Sequence, residues 1–136
     1  MKKNNDKSTE FDFRTITSFE KACEKEGLDP VMVLPDVSMV PENLRKALIA
    51  VLKLFIIHQA INNGWIPRMG DASQMKYWAY HWVLSSGLGF DDSCYDYDDA
   101  DATVGSRLCT FSNKSALFIA KTFTQEWLDF KLNIQG

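Results

Sequence analysis

The chain has 136 residues, of which 46% are hydrophobic and 12% aromatic, and its formal net charge is -3. A chain of this length can bury a single core, and its apolar content excludes the class of proteins that stay disordered for lack of apolar surface. The charge is uneven, because six aspartates and no basic residue lie within 91–101. The rest of the chain is therefore mildly basic, and net charge alone does not exclude a polyanionic partner.

The sequence lacks the features of a membrane or secreted protein. Its longest apolar stretch, 47–57, is interrupted by Lys53 and is too short for the roughly 20 residues of a membrane span. The basic residues at the start of the chain are followed by polar ones, where a signal peptide needs an apolar segment. Three cysteines without a CxxC pair, Cys23, Cys94 and Cys109, predict free thiols, two of them (Cys23 and Cys109) in the core. We expect a cytoplasmic protein with no membrane contact.

The first part of the chain predicts a tail, a short helix and a long helix. Residues 1–14 are polar and without periodicity, which predicts a disordered tail, and residues 15–136 then form one globular domain. Thr17 and Glu20 have capping-box spacing, and Gly27 ends the short helix. A connection with three prolines follows, and Pro41 opens a helix that runs to Gly64. Its predicted buried stripe is Leu44, Ala47, Leu48, Val51, Leu52, Phe55, Gln59 and Asn62, with Arg45, Lys46 and Lys53 on the outer face.

The second part of the chain predicts strands followed by a helix. The aromatic and β-branched run 77–84 favours a strand, with a helix as the alternative, and further strands are predicted within 88–97 and 105–111. Ser112 is a good N-cap for a final helix, whose predicted buried stripe is Ala116, Ile119, Ala120, Phe123, Trp127 and Phe130. The predicted fold is α+β, a small antiparallel three-stranded meander packed against about three helices in the order α-α-β-β-β-α.

The aspartate-rich loop has the carboxylates that calcium requires but not the spacing of a known calcium loop. With Asp96 at the first position of an EF-hand, Asp101 stands where the turn glycine belongs and Arg107 where the bidentate glutamate belongs. We expect a solvated loop and no metal site, with calcium binding as the alternative hypothesis.

Catalytic motifs are missing from the sequence. His58 and His81 are the only histidines, and neither lies in a recognisable motif, so packing or capping roles are favoured for both. Cys94 is flanked by carboxylates that raise a thiol pKa. No nucleophile, base and orienting group can be assembled, so we expect a protein that is not an enzyme, with no catalytic residue and no cofactor.

The aromatic strand is the most informative candidate site. On a strand, alternate side chains face opposite sides, so Trp78, Tyr80 and Trp82 share one face and Tyr77 lies on the other. If the tryptophan face is exposed, it is a platform for a partner protein or for bases; if it is buried, it is core packing, which we favour. The candidate binding residues are Tyr77, Trp78, Tyr80 and Trp82.

Several short runs of the sequence resemble small uncharacterised proteins of bacterial phages and prophages. They lie at 17–23, 34–36, 44–50, 63–65, 76–78 and 104–109. The resemblance covers most of the chain after the tail and implies a setting in a mobile element, but it assigns no catalytic or binding residue.

Together these features favour a non-enzymatic binding or interaction protein with an unknown protein partner. The alternative is a protein that binds single-stranded nucleic acid. That function requires the aromatic face to lie beside basic residues of the helices, namely Arg45, Lys46, Lys53, Lys114 and Lys121.

Overall fold

The computed structural model of the chain describes residues 10–68, 70–79, 81–84, 87–89, 95–97 and 106–132. Within these ranges four helices combine with short antiparallel strands, so the chain is of the α+β class. The helices are α1 (Phe19–Glu26), α2 (Glu42–Asn62), α3 (Asn113–Thr122) and α4 (Thr124–Lys131). The strands are β1 (Tyr77–Ala79), β2 (Trp82–Leu84), β3 (Gly87–Gly89), β4 (Tyr95–Tyr97) and β5 (Cys109–Thr110).

The short helix α1 forms close to where the sequence places it. Its N-cap is Ser18, whose Oγ accepts a hydrogen bond from the backbone N–H of Lys21 at 3.1 Å, one residue after the predicted Thr17. Gly27 ends the helix with a φ of +73°, a left-handed conformation that glycine adopts without strain. The helix buries Phe19, Ala22 and Cys23, the face that was predicted.

The long helix α2 lies at the centre of the fold, but its buried face agrees only in part with the predicted one. The face in the core carries Ala50, Leu54, Ile57 and Ile61. Leu52 and Phe55 of the predicted stripe pack against the core, while Leu44 and Leu48 are 51% and 44% exposed. The prediction was wrong for Leu44 and Leu48 because the helix is apolar on two sides, and helical spacing alone does not say which side meets the core. The helix ends at Asn62, and Asn63 takes the left-handed conformation with a φ of 47°.

The strands form two small sheets instead of one meander. In the three-stranded sheet β1 lies between β4 and β5, and in the other sheet β2 pairs with β3; all pairs are antiparallel. The predicted strand 77–84 is divided at His81, which is not in a strand and whose ring binds the carbonyl of Ala120. The first strand of the chain is therefore central in its sheet, whereas a meander would place the second strand there.

The predicted C-terminal helix is two helices. Ser112 is the N-cap of α3, as predicted, and its Oγ accepts from the backbone N–H of Ser115 at 3.0 Å. The break is at Phe123, whose φ of -109° and ψ of 44° are not helical. The predicted stripe is nevertheless buried from Ala116 to Trp127, because α3 and α4 both pack toward the core.

The cap at Ser112 gives a first testable prediction. Replacing Ser112 with alanine removes the acceptor for the Ser115 N–H and should lower the free energy of unfolding by about 1 kcal/mol, measured by urea denaturation. Thr17 is the matched control, because its exposed hydroxyl lies next to the N-cap residue Ser18 of α1 and is not the cap. An equal loss in Thr17→Ala would contradict a specific role for the cap at Ser112.

Packed structure begins before the predicted domain boundary. Residues 1–9 of the predicted tail lie outside the described residues. Phe13 belongs to a 3-10 turn, Phe13–Thr15, and its ring contacts those of Phe111 and Phe118 at centroid distances of 5.9 and 5.5 Å. Phe11 also packs against the core. Residues 10–14 are therefore held by their two aromatic side chains, although their other residues are polar. None of the helices in the described ranges is both long and apolar enough to cross a membrane.

Candidate functional site

Of the four predicted aromatic binding residues, the structure describes the side chains of Tyr77 and Trp78, and Trp78 is buried. Trp78 is only 5% exposed and belongs to the core, whereas Tyr77, on the other face of β1, is half-buried. Tyr80 and the side chain of Trp82 lie outside what the structure describes. Trp78 therefore has the packing role, and its ring is not available for stacking on a ligand.

The two histidines come together around Trp127, which no sequence pattern indicated. Trp127 is buried in α4 and donates from Nε1 to the carbonyl of Ile119 at 3.1 Å. His58 meets its ring edge-on at a centroid distance of 5.8 Å, and His81 lies tilted at 5.4 Å. His81 donates from Nε2 to the Ala120 carbonyl at 3.1 Å and accepts at Nδ1 from the Lys131 ammonium at 3.0 Å.

This cluster is suited to packing more than to proton transfer. Burial lowers the pKa of His81, and the nearby Lys131 ammonium lowers it further. Burial also lowers the pKa of His58, to about 4, against a weaker opposing effect of its hydrogen bond to Leu54. Both rings are therefore neutral near pH 7, and their roles match the packing functions expected from the sequence.

The two described thiols are unreactive, because burial disfavours their charged thiolate form. Cys23 and Cys109 are buried thiols outside any disulfide, as predicted. Burial raises the pKa of the Cys109 thiol to about 11 and, together with Glu20, raises that of Cys23.

Cys94 and the aspartate loop lie outside the described residues, apart from Asp96 in β4, so the calcium hypothesis stays untested. In the described ranges no three potential metal ligands lie together.

Two basic residues of α2 lie opposite carboxylates. Lys46 and Lys53 line a cleft between α2 and α4 whose opposite wall carries Glu126 and Asp129. Lys53 also lies over the ring of Phe19 at 5.3 Å. A phosphate backbone entering this cleft would meet two carboxylates as well as the two ammonium groups, which weakens the attraction.

The most conspicuous surface feature is a set of exposed apolar side chains that we call the 31–48 surface. Five large side chains of the α1–α2 connection and the first turns of α2 project into solvent; they are Val31, Met32, Met39, Leu44 and Leu48. Met39 is the extreme case at 93% exposed. Leu44 and Leu48 are four residues apart and therefore adjacent on one face of the helix.

Hydrogen bonds hold the backbone of this surface in place. The Asp29 carboxylate accepts from the N–H groups of Val31 and Met32, at 2.9 and 3.3 Å. The guanidinium of Arg45 donates to the carbonyls of Val40 and Ser38, at 2.7 and 3.0 Å, and so ties both neighbours of Met39 to the first turns of α2. Arg45 thus has a local structural role and is not a free cation of the outer face.

No sequence pattern marked this surface as exposed. Leu44 and Leu48 were expected in the buried stripe of the long helix, and helical spacing alone does not show that they face solvent. A comparison with protein-family models, curated proteins and solved structures finds no match to this chain.

Proposed function

We propose that this chain is a non-enzymatic interaction protein that binds an apolar segment of a partner protein on the 31–48 surface. The observation that carries the proposal is the exposure of five large apolar side chains on a backbone fixed by Asp29 and Arg45. Isolated exposed apolar residues are ordinary, but several within one short stretch are typical of interaction sites.

The chemistry of the surface favours an amphipathic helix as the partner segment. Leu44 and Leu48 offer an apolar ridge at helical spacing, against which the apolar face of another helix can pack. Met32 and Met39 are unbranched and adaptable, so they can fit side chains of different shape. The exposed Glu42 and Lys46 supply a polar rim of both signs.

The other parts of the proposal come from the sequence. The absence of catalytic motifs supports a binding role, and the resemblance to small phage and prophage proteins supports a setting in a mobile element. The cytoplasm is the compartment expected for such a protein. Binding of single-stranded nucleic acid is less well supported, since Trp78 is buried and Lys46 and Lys53 face carboxylates.

The experiment first captures the partner by photo-crosslinking from a defined position of this chain, and then measures the affinity of the two proteins. A photo-crosslinking benzoylphenylalanine replaces Met39 in one sample and Lys114, an exposed residue of α3, in the control. Proteins captured at position 39 and not at position 114 are purified and titrated against the wild type and Leu44→Lys/Leu48→Lys. We expect the double variant to fold normally and to bind about tenfold or more weakly, because it places charges in an apolar contact.

The matched control variant is Met75→Lys, which changes an exposed apolar residue outside the 31–48 surface. Its affinity should equal that of the wild type. The proposal is overturned if position 39 captures nothing beyond the control position, or if the double variant binds the purified partner as tightly as the wild type.

A further inference from the structure

A small cavity beside the second half of α2 has the features of a ligand site. Its volume is about 270 Å³, and its apolar walls are Phe55 of α2 together with Ile66 and Pro67 of the segment that follows. The polar residues that line it include His58 and Asn62 of α2 and Arg107 of the 3-10 turn Ser106–Leu108. It lies on the opposite half of α2 from Leu44 and Leu48, so it is distinct from the 31–48 surface.

His58 presents an unoccupied acceptor to this cavity. The residue is 2% exposed, and its Nδ1 lies 2.7 Å from the carbonyl oxygen of Leu54. A carbonyl oxygen only accepts, so Nδ1 carries the proton and donates, which leaves a lone pair on Nε2. Among the described residues every buried side-chain nitrogen and oxygen has a partner, and the ring makes no other hydrogen bond. An Nε2 without a partner is therefore not fully buried, and the cavity that His58 lines is the space beside the residue.

The other polar residues of the cavity differ in whether they already have hydrogen-bond or ion-pair partners. Asn62 donates to the Cys109 carbonyl at 3.0 Å and accepts from the Thr110 hydroxyl at 2.6 Å, and Gln59, which also lines the cavity, donates to the Glu26 carboxylate at 2.7 Å, so both amides already have partners. Arg107 is exposed, and no carboxylate of the described residues lies within salt-bridge distance of it. The cavity thus combines one available cation with one neutral acceptor.

We infer that this cavity binds a small aromatic carboxylate that also carries an N–H or O–H donor. The carboxylate pairs with the guanidinium of Arg107, the ring packs against Phe55, Ile66 and Pro67, and the donor binds Nε2 of His58. Burial keeps the pKa of His58 near 4, so the acceptor stays uncharged at neutral pH. A single cation suits one carboxylate better than a phosphate group of higher charge.

The test uses indole-3-acetate and 4-hydroxyphenylacetate as probes, with binding followed through the amide signals of the protein by NMR. Both should cause saturable shifts at residues 55–67 and 107. 1-Methylindole-3-acetate, which lacks the donor, should bind at least about fivefold more weakly, because Nε2 would be buried without a partner. Tryptamine, with a cation in place of the carboxylate, should not bind.

Protein variants separate the role of Arg107 from general charge effects. Arg107→Gln should weaken indole-3-acetate binding about tenfold, whereas Arg14→Gln, a change at another exposed arginine, should leave it unchanged. The methylated probe tests His58 without a core mutation. The inference is overturned if neither probe gives saturable shifts at the cavity, if N-methylation has no effect, or if Arg107→Gln binds as well as Arg14→Gln. None of these outcomes depends on the 31–48 surface.

Discussion

Replacing Trp127 with alanine is expected to lower the free energy of unfolding by about 3–5 kcal/mol, the largest effect predicted for this chain. The side chain is 1% exposed and joins α4 to α2 and α3 through its ring contact with His58 and its hydrogen bond to Ile119. Removing it leaves a cavity and takes away one of the two hydrogen bonds that the Ile119 carbonyl accepts, the other coming from the Phe123 N–H. Since domains of this kind have roughly 5–15 kcal/mol of stability, the variant should be close to unfolding at 37 °C. Urea denaturation followed by far-ultraviolet circular dichroism measures the loss.

Two control variants separate the contributions of the Trp127 side chain. Trp127→Phe keeps most of the apolar volume but removes the N–H that Ile119 accepts, so it should cost about 1–3 kcal/mol. Trp65→Ala changes a half-buried tryptophan whose ring contacts Phe111 at 6.3 Å, and it should cost less than Trp127→Ala. A loss below about 1 kcal/mol in Trp127→Ala would contradict a central packing role for this residue.

The features predicted correctly are those that neighbouring residues determine. The cap at Ser112 and the left-handed stop at Gly27 depend on one side chain or one backbone conformation, and both are present in the structure. The predicted cap of α1 was one residue early, because Thr17 and Ser18 both have a hydroxyl and only the structure shows which one reaches an N–H. Local chemistry thus located these helix ends to within about a residue, but it located neither the end of α2 at Asn62, predicted at Gly64, nor the break at Phe123.

The buried face of α2 was not predictable from periodicity. Its sequence fits two apolar faces, one with Leu54 and Ile57 and one with Leu44 and Leu48. Which face is covered depends on where α1 and α4 pack, and that is a property of the whole fold. For the same reason the 31–48 surface was not predicted, because the sequence does not show which apolar residues remain exposed to solvent.

The strand region shows a different limit. The composition of 77–84 favours a strand, but pairing joins β1 to residues 16 or more positions away, such as Asp96 and Cys109. Strand propensity does not encode such partners or the break at His81. The cavity is equally non-local, since His58 and Arg107 lie 49 positions apart in the sequence and are brought together by the packing of the 3-10 turn on α2.

Acid is expected to destabilise the fold through His58. The folded pKa is about 4 and the ordinary value is 6.5, so the unfolded chain takes up a proton first as the pH falls. Stability should therefore be constant above about pH 7 and decrease between pH 6.5 and 4, by about 3 kcal/mol in full. The physical cause is the burial of most of the ring against Trp127, where a charge is poorly solvated.

The measurement compares urea denaturation at pH 7 and pH 4.5 in the wild type and in His58→Gln. The difference between the two pH values should shrink by about 2–3 kcal/mol in the variant, whatever its stability at pH 7, because glutamine does not titrate. His81→Gln is the matched histidine control; it should also shrink the difference, but less, since His81 is only half-buried and its pKa is lowered to a smaller extent. Hydrogen bonds from Ser73 and Arg68 lower the pKa of Asp71, and its protonation therefore acts below this pH window. An unchanged pH dependence in His58→Gln would show that His58 accepts a proton without unfolding, and so that its ring is not held in the buried position between Leu54 and Trp127.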